Sequence, residues 1–177
     1  MKKKIIAAVL CLGLCLSMTA CGLGTKEDGS GEKKETVDKN FSLAMTENYT
    51  FADPEDLDFD QRFVLVGEEG CKLLTDMKNF GYEATKVYMI IYAKDGEAAR
   101  EYDYYVAPDE AMAQSLAEFY TSQGLEVTQE GNVLFSVVDG DQLQATLISL
   151  ASNGAMPDET IDSYAKTMKD SNGLTDY

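Results

Sequence analysis

The sequence predicts an α+β fold, in which an antiparallel sheet of about five strands carries helices mainly on one face. Two observations predict it. Short apolar or alternating runs occur in pairs with turn residues between them, which is typical of β-hairpins. Between these pairs lie segments whose apolar residues recur at helical spacing. Hairpins that alternate with helices favour an antiparallel sheet covered on one side, in the order β-α-β-β-α-β-β-α-α.

The first half of this order is read from four segments. Residues 59–66 alternate as a strand that ends at Gly67, and residues 69–80 have the apolar spacing of a helix that stops at Gly81. Residues 85–94 are apolar on both faces and therefore predict a central, covered strand. A turn at Asp95 and Gly96 leads to a returning strand over residues 101–107.

The second half repeats the pattern and then ends in two helices. Acidic residues after Pro108 predict the start of a helix that Gly124 stops. A hairpin over residues 125–138 follows, and either Asp139 or Asp141 caps the third helix. A fourth helix is predicted to start at Pro157, and residues 171–177 are expected to fray.

Three residues of the third predicted strand are candidates for contact with a ligand or partner. Tyr102 and Tyr104 share a face with Val106, which favours the core for that face, whereas Tyr105 and Asp103 point the other way. Exposed tyrosines suit the binding of sugars or peptides. A sheet face packed under a helix is the favoured interpretation, and Tyr105 is the better candidate for a surface position. We take Tyr105, Asp103 and Tyr102 as the candidate contact residues.

Residues 1–21 have the three parts of a bacterial export signal. Three lysines precede an apolar run of 12 residues over positions 5–16, which is too short to span a bilayer and fits a secretory segment. The following Met18-Thr19-Ala20-Cys21 resembles the lipobox of bacterial lipoproteins, with Met18 where the family usually has Leu. The resemblance implies cleavage after Ala20 and attachment of lipid, with two acyl chains, to the Cys21 sulfur.

The resemblance predicts the domain organisation and the location. Residues 1–20 are the signal peptide, residues 21–40 are the lipidated cysteine and a flexible tether, and residues 41–177 are a single α+β domain outside the cytoplasm. The tether is rich in Gly, Lys and Glu and cannot form a core. Its 19 residues after Cys21 reach roughly 24 Å as a random coil. We expect a cell-membrane lipoprotein that is monomeric and held by membrane lipid.

Composition excludes several functions. The net charge of −16 argues against nucleic acid, and the absence of histidine removes Ser-His-Asp and Cys-His catalysis and imidazole-bound metals. Cys71 is the only cysteine left after Cys21, so no internal disulfide forms, and we expect it to be a buried small hydrophobe. No motif implies a cofactor.

A short acidic run is a weak candidate for metal binding. Asp56, Asp58 and Asp60 alternate as at the start of a calcium loop, but Gln61 and Gly67 occupy the positions where an EF-hand needs Gly and Glu. A solvated lead-in to a strand is the favoured interpretation. A different acidic feature is broader: residues 101–165 contain 12 acids and no Lys or Arg. Such charge suits a cationic partner, but the favoured interpretation is that it keeps a tethered domain soluble and monomeric.

We therefore expect a non-catalytic binding or interaction module whose ligand or protein partner is unknown, with a positively charged one among the candidates. A hydrolase that uses paired carboxylates is one alternative. An accessory subunit docked on a transporter or sensor is another. A cavity with two carboxylates would favour the hydrolase, a flat acidic surface would favour docking, and a concave site lined by tyrosines would favour ligand binding.

Overall fold

The structure of the chain is a computed structural model that describes residues 53–177. The predicted signal peptide, Cys21, the tether and residues 41–52 lie outside the described residues. Along the described chain the elements are β1 (Gln61–Glu68), α1 (Lys72–Asn79), β2 (Lys86–Lys94), β3 (Glu97–Val106), α2 (Glu110–Ser122), β4 (Glu126–Glu130), β5 (Val133–Asp139), α3 (Gly140–Ser152), α4 (Ile161–Asn172) and β6 (Thr175–Asp176).

The strands form one antiparallel sheet in the order β4-β5-β3-β2-β1-β6. The predicted α+β class and the order of the first nine elements are confirmed. The two long central strands, β2 and β3, pair along their whole length, and β5 lies on the other side of β3. This arrangement places the middle of β3 at the centre of the sheet.

The expectation that residues 171–177 fray is wrong. Gly173 ends α4 in the left-handed conformation, and Leu174 behind it is buried. The chain then pairs with β1 as the short strand β6, and the Tyr177 amide donates to the Val64 carbonyl oxygen at 3.0 Å. Burial of one leucine and a few backbone hydrogen bonds hold the chain end against the sheet.

Both faces of the sheet are buried, by different means. All four helices pack on one face, where they cover sheet residues that include Leu65, Met89 and Leu134. The opposite face carries a second apolar cluster centred on Tyr92, Tyr102 and Phe135. Two of the described segments contact that second face. Leu57 and Phe59 pack against the cluster, and the C-terminal Tyr177 makes an edge-on contact with Tyr88.

The helix starts are set by caps that the sequence analysis placed only roughly. Asp109 and Asp139 accept hydrogen bonds from the backbone at the third position beyond them and so begin α2 and α3. Thr160 caps α4, so the helix starts after the acidic turn and not at Pro157 as predicted. Cys71 precedes α1 and is half-buried, which corrects the expectation of full burial.

The first turn of α3 lies against an irregularity in the central hairpin. The pairing of β2 with β3 shifts between Tyr92 and Ala93, which leaves Ala99 as an extra residue on β3. A side chain on Gly140 would meet the Ala98 carbonyl oxygen at 2.8 Å, so the glycine lets α3 begin in contact with β3. Within the described chain, no helix combines the length and the apolar character needed to span a bilayer.

Candidate functional site

Two acidic side chains lie in the middle of β3 and point into the protein. Glu101 and Asp103 are two residues apart on the strand, so they share the face on which the helices pack. Their exposed fractions are only 1% and 6%. Charged side chains are almost never buried to this degree unless they are paired, so this position is unusual.

The hydrogen bonding of this pair, which we call the carboxylate pair, is incomplete. The Tyr164 hydroxyl on α4 donates to Glu101 Oε1 over a long 3.4 Å. Glu101 Oε2 and Asp103 Oδ1 have no hydrogen-bond partner in the part of the chain that the structure describes. Ser136 faces Asp103 across the β3–β5 pairing, yet its hydroxyl also lacks a partner of good geometry. Buried polar atoms without partners are rare and call for an explanation.

The environment favours protonation of both acids. Burial raises the pKa of Glu101 well above its ordinary value, and the neighbouring Asp103 carboxylate raises it further. Burial also raises the pKa of Asp103 to about 7, although the neighbouring Glu101 and Ser136 side chains oppose the increase. Both acids therefore hold their protons to a higher pH than exposed carboxyl groups do.

A cavity opens over the carboxylate pair, between the sheet and helices α1, α2 and α3. It has a volume of about 50 Å³, and since one water needs roughly 10–15 Å³ on this measure, it holds about three to five water-sized groups. The carboxylate pair lies among its polar lining, and most of the remaining wall is apolar or aromatic. Phe80, which is 44% exposed, and the half-buried Asp76 mark the side nearest to solvent.

Aromatic rings line the cavity from its solvent side to the carboxylate pair. Tyr82 lies 4.7 Å from Phe119, measured between ring centroids, and Phe119 lies 5.4 Å from Tyr120. Tyr120 stacks on Tyr105 at 5.3 Å, and Tyr105 is the next residue after Asp103 on the same face of β3. The cavity thus combines aromatic side walls with an end formed by two carboxyl groups whose hydrogen bonding within the described chain is incomplete.

The structure separates the three predicted contact residues. Tyr105 and Asp103 line the cavity, whereas Tyr102 lies on the opposite face of the sheet and packs on Phe135. Tyr105, the better candidate for a surface position, is buried, with an exposed fraction of 6%. Helices cover its face of the sheet, which agrees with the favoured interpretation of a face packed under a helix.

Several residues of the cavity were not singled out from the sequence. Glu101 is the most important, together with Tyr82, Phe119 and Tyr120 on the aromatic wall. The sequence gives no signal that places Glu101 and Asp103 under the helices, because the helices could equally cover the face of the alternating tyrosines and leave the acids on the open face.

The acidic run before β1 attaches this segment to the central hairpin. Asp56 pairs with Arg100 at 3.2 Å and Asp58 with Lys94 at 3.3 Å. Asp60 accepts the Asp95 amide at 3.0 Å. The three carboxylates thus have separate partners. Among residues 53–177, no group of three or more acidic or cysteine side chains is placed to hold a metal ion.

The remaining acids of the long cation-free stretch are at the surface. Of the 12 acids over residues 101–165, the carboxylate pair is buried and the other 10 are exposed. Without a Lys or Arg among them, these side chains make the potential around this part of the domain negative. Their charge attracts cations toward the side of the molecule that carries α2 and α3.

Comparisons with known proteins do not assign the chain to a family. No family model, no curated protein and no solved structure matches it.

Proposed function

We propose that this protein is a lipid-anchored lipoprotein outside the cytoplasm that binds a ligand in the cavity over Glu101 and Asp103 without chemically changing it. The observation that carries the binding function is the pair of buried carboxylate oxygens that line the cavity without hydrogen-bond partners. Leaving a buried acceptor unsatisfied costs about 1–3 kcal/mol, and more for a charged group. A ligand that donates hydrogen bonds removes this cost when it binds.

The anchoring function rests on the residues before the described domain. The lysines, the short apolar run and the resemblance of residues 18–21 to a lipobox occur together and in the right order. Two acyl chains hold a protein on a membrane where one chain binds only marginally. The tether then keeps the acidic domain at roughly 24 Å, beyond the Debye length of about 8 Å at physiological salt.

The carboxylate pair also supports a second function, that of a glycoside hydrolase. Such enzymes place two carboxyl groups on either side of the bond, roughly 5–10 Å apart. Glu101 and Asp103 instead project side by side from one strand and influence each other's pKa directly. The cavity is also smaller than a sugar ring with its hydroxyl groups. Binding is therefore the stronger proposal, and release of 4-nitrophenol from aryl glycosides that stops in E101Q would favour the hydrolase.

A thermal-shift panel tests the binding function on the full chain in detergent. The probes are n-butylammonium chloride, sodium butyrate, butan-1-ol and glucose. Occupancy at about 100 times the Kd adds about 2.7 kcal/mol of stability, which raises the Tm by several degrees. We expect at least one probe to raise the Tm of the wild type and to act more weakly on E101Q.

A matched variant controls for the loss of one negative charge. E130Q removes an exposed carboxylate at the last residue of β4. It should respond to the probes as the wild type does. Equal responses of the wild type and E101Q to every probe, or no response at all, would contradict a binding function for this cavity.

A further inference from the structure

We propose that the cavity binds the head group of a small primary alkylammonium ion, with Glu101 Oε2 and Asp103 Oδ1 accepting hydrogen bonds from its nitrogen. This inference rests on the proposed binding function and names the chemical class of its ligand.

The unpartnered atoms require a hydrogen-bond donor. Both are carboxylate oxygens with several lone-pair positions, and neither receives a hydrogen bond from the described chain. A ligand that offers only acceptors, such as a carboxylate or a phosphate, would add repulsion. An ammonium group carries three N–H donors on one atom, which is enough to reach both oxygens of the pair.

The site favours a cation, because a positive ligand would stabilise the charged form of two acids that burial otherwise keeps protonated. No Lys or Arg is among the described residues that line the cavity. The nearest cationic side chain along β3 is Arg100, which pairs with Asp56 on the opposite face of the sheet. A buried carboxylate without a cation is strongly unfavourable, so a positive ligand contributes Coulomb energy where water screens it least.

The walls favour an organic cation over a metal ion. Calcium takes six to eight oxygen ligands, and magnesium takes six in strict octahedral geometry. Around the carboxylate pair the lining is largely apolar, with Leu116, Val138 and Met89 close to it in the cavity. The Tyr105 and Tyr120 rings add faces on which a cation is stabilised, and their neighbours offer contact to methylene groups.

The size of the cavity limits the part of the ligand that enters it. About 50 Å³ holds a nitrogen and a few methylene groups, at roughly 10–15 Å³ for each water-sized group. A longer alkyl chain extends along Tyr82 and Phe119 toward the exposed Phe80. The space fits an unbranched primary amine better than a bulky quaternary ammonium, which also has no N–H to donate.

Isothermal titration calorimetry on the full chain in detergent tests the ligand class. The probes are n-butylammonium, butan-1-ol and tetramethylammonium, each at pH 8. Since hydrogen bonds to a charged group contribute about 1.5–3 kcal/mol, n-butylammonium should bind about 10- to 150-fold more tightly than the alcohol. E101Q and D103N should each lose about 10-fold or more of that affinity, while E130Q keeps it.

The outcomes distinguish this inference from the function on which it rests. Equal binding of butan-1-ol and n-butylammonium, or unchanged amine affinity in both variants, would overturn the cation class and leave a binding cavity. Preference for tetramethylammonium would also overturn it. Absence of amine binding would overturn it as well, and the response to the other thermal-shift probes then decides the binding function. The comparison of the probes on the wild type stands even if a variant fails to fold.

Discussion

Glu101 and Asp103 control how the stability of the domain depends on pH. A buried acid whose folded pKa is raised holds its proton in the folded state after the unfolded chain has released it. The favourable contribution of such an acid to the free energy of unfolding is complete below its pKa in the unfolded chain. The contribution is lost as the pH rises through its pKa in the folded state. For Asp103 this pH range extends from the ordinary pKa of 3.8 to about 7. The raised pKa of Glu101 makes the stability depend on pH in the same direction.

The double variant E101Q/D103N should therefore become more stable relative to the wild type as the pH increases. Between pH 5 and pH 7 the Asp103 proton alone changes the free energy of unfolding by about 2 kcal/mol, because each unit of pH contributes at most about 1.36 kcal/mol and the folded state begins to lose the proton near pH 7. Urea unfolding at several pH values measures the difference. Parallel stability curves for the two proteins would show that the carboxylates are not buried as described, and E130Q should parallel the wild type.

At the same scale, the face of a residue could be predicted but its burial could not. Alternation along β3 placed Tyr102 and Tyr104 together in a core, which the structure confirms. The same alternation could not reveal that Asp103 and Tyr105 meet a second core, because covering elements come from distant parts of the sequence. Whether a buried oxygen atom receives a hydrogen bond depends on three-dimensional contacts, which the sequence does not show.

At the scale of elements, the N-caps decide where the helices begin. The sequence left Asp139 and Asp141 as alternatives for α3, and the structure selects Asp139, whose carboxylate accepts the Gln142 amide at 2.9 Å. Asp141 lies in the first turn, where it interacts only with the helix dipole.

D139A should destabilise the domain by about 1 kcal/mol, because it removes a capping hydrogen bond. D141A has the same change in charge and should cost only about 0.3–1 kcal/mol, with an effect that salt weakens. Thermal or urea unfolding at low and high salt measures both. A larger cost for D141A than for D139A would contradict the assigned cap.

Segments with a clear apolar pattern were predicted correctly as helices or strands, whereas a segment without such a pattern was not. Both hairpins and all four helices follow from apolar spacing and turn residues, with ends displaced by a few residues. The strand β6 has two residues and no pattern of its own, so it could not be predicted. It exists because Gly173 turns the chain and the edge of β1 offers free hydrogen-bonding groups.

At the scale of the whole molecule, the proposed lipid anchor has to act against the negative charge of the domain. The residues from 41 onward carry 26 acids against 8 basic residues, so an anionic lipid surface repels the domain. A lipid anchor with a long tether holds such a domain near the membrane in spite of this repulsion. The exposed acids then concentrate small cations around the domain, which suits the ligand class proposed for the cavity.

The chemical state of Cys21 tests the proposed lipoprotein most directly. We expect mass spectrometry of the mature protein to find an N-terminal Cys21 that carries diacylglycerol, and the protein to enter the detergent phase of a detergent–water partition. C21A should move to the aqueous phase, while C71A, the matched control at the other remaining cysteine, should stay in the detergent phase. A mature chain that begins with Met1 or with an unmodified Cys21, or a C21A protein that still enters the detergent phase, would contradict the anchor.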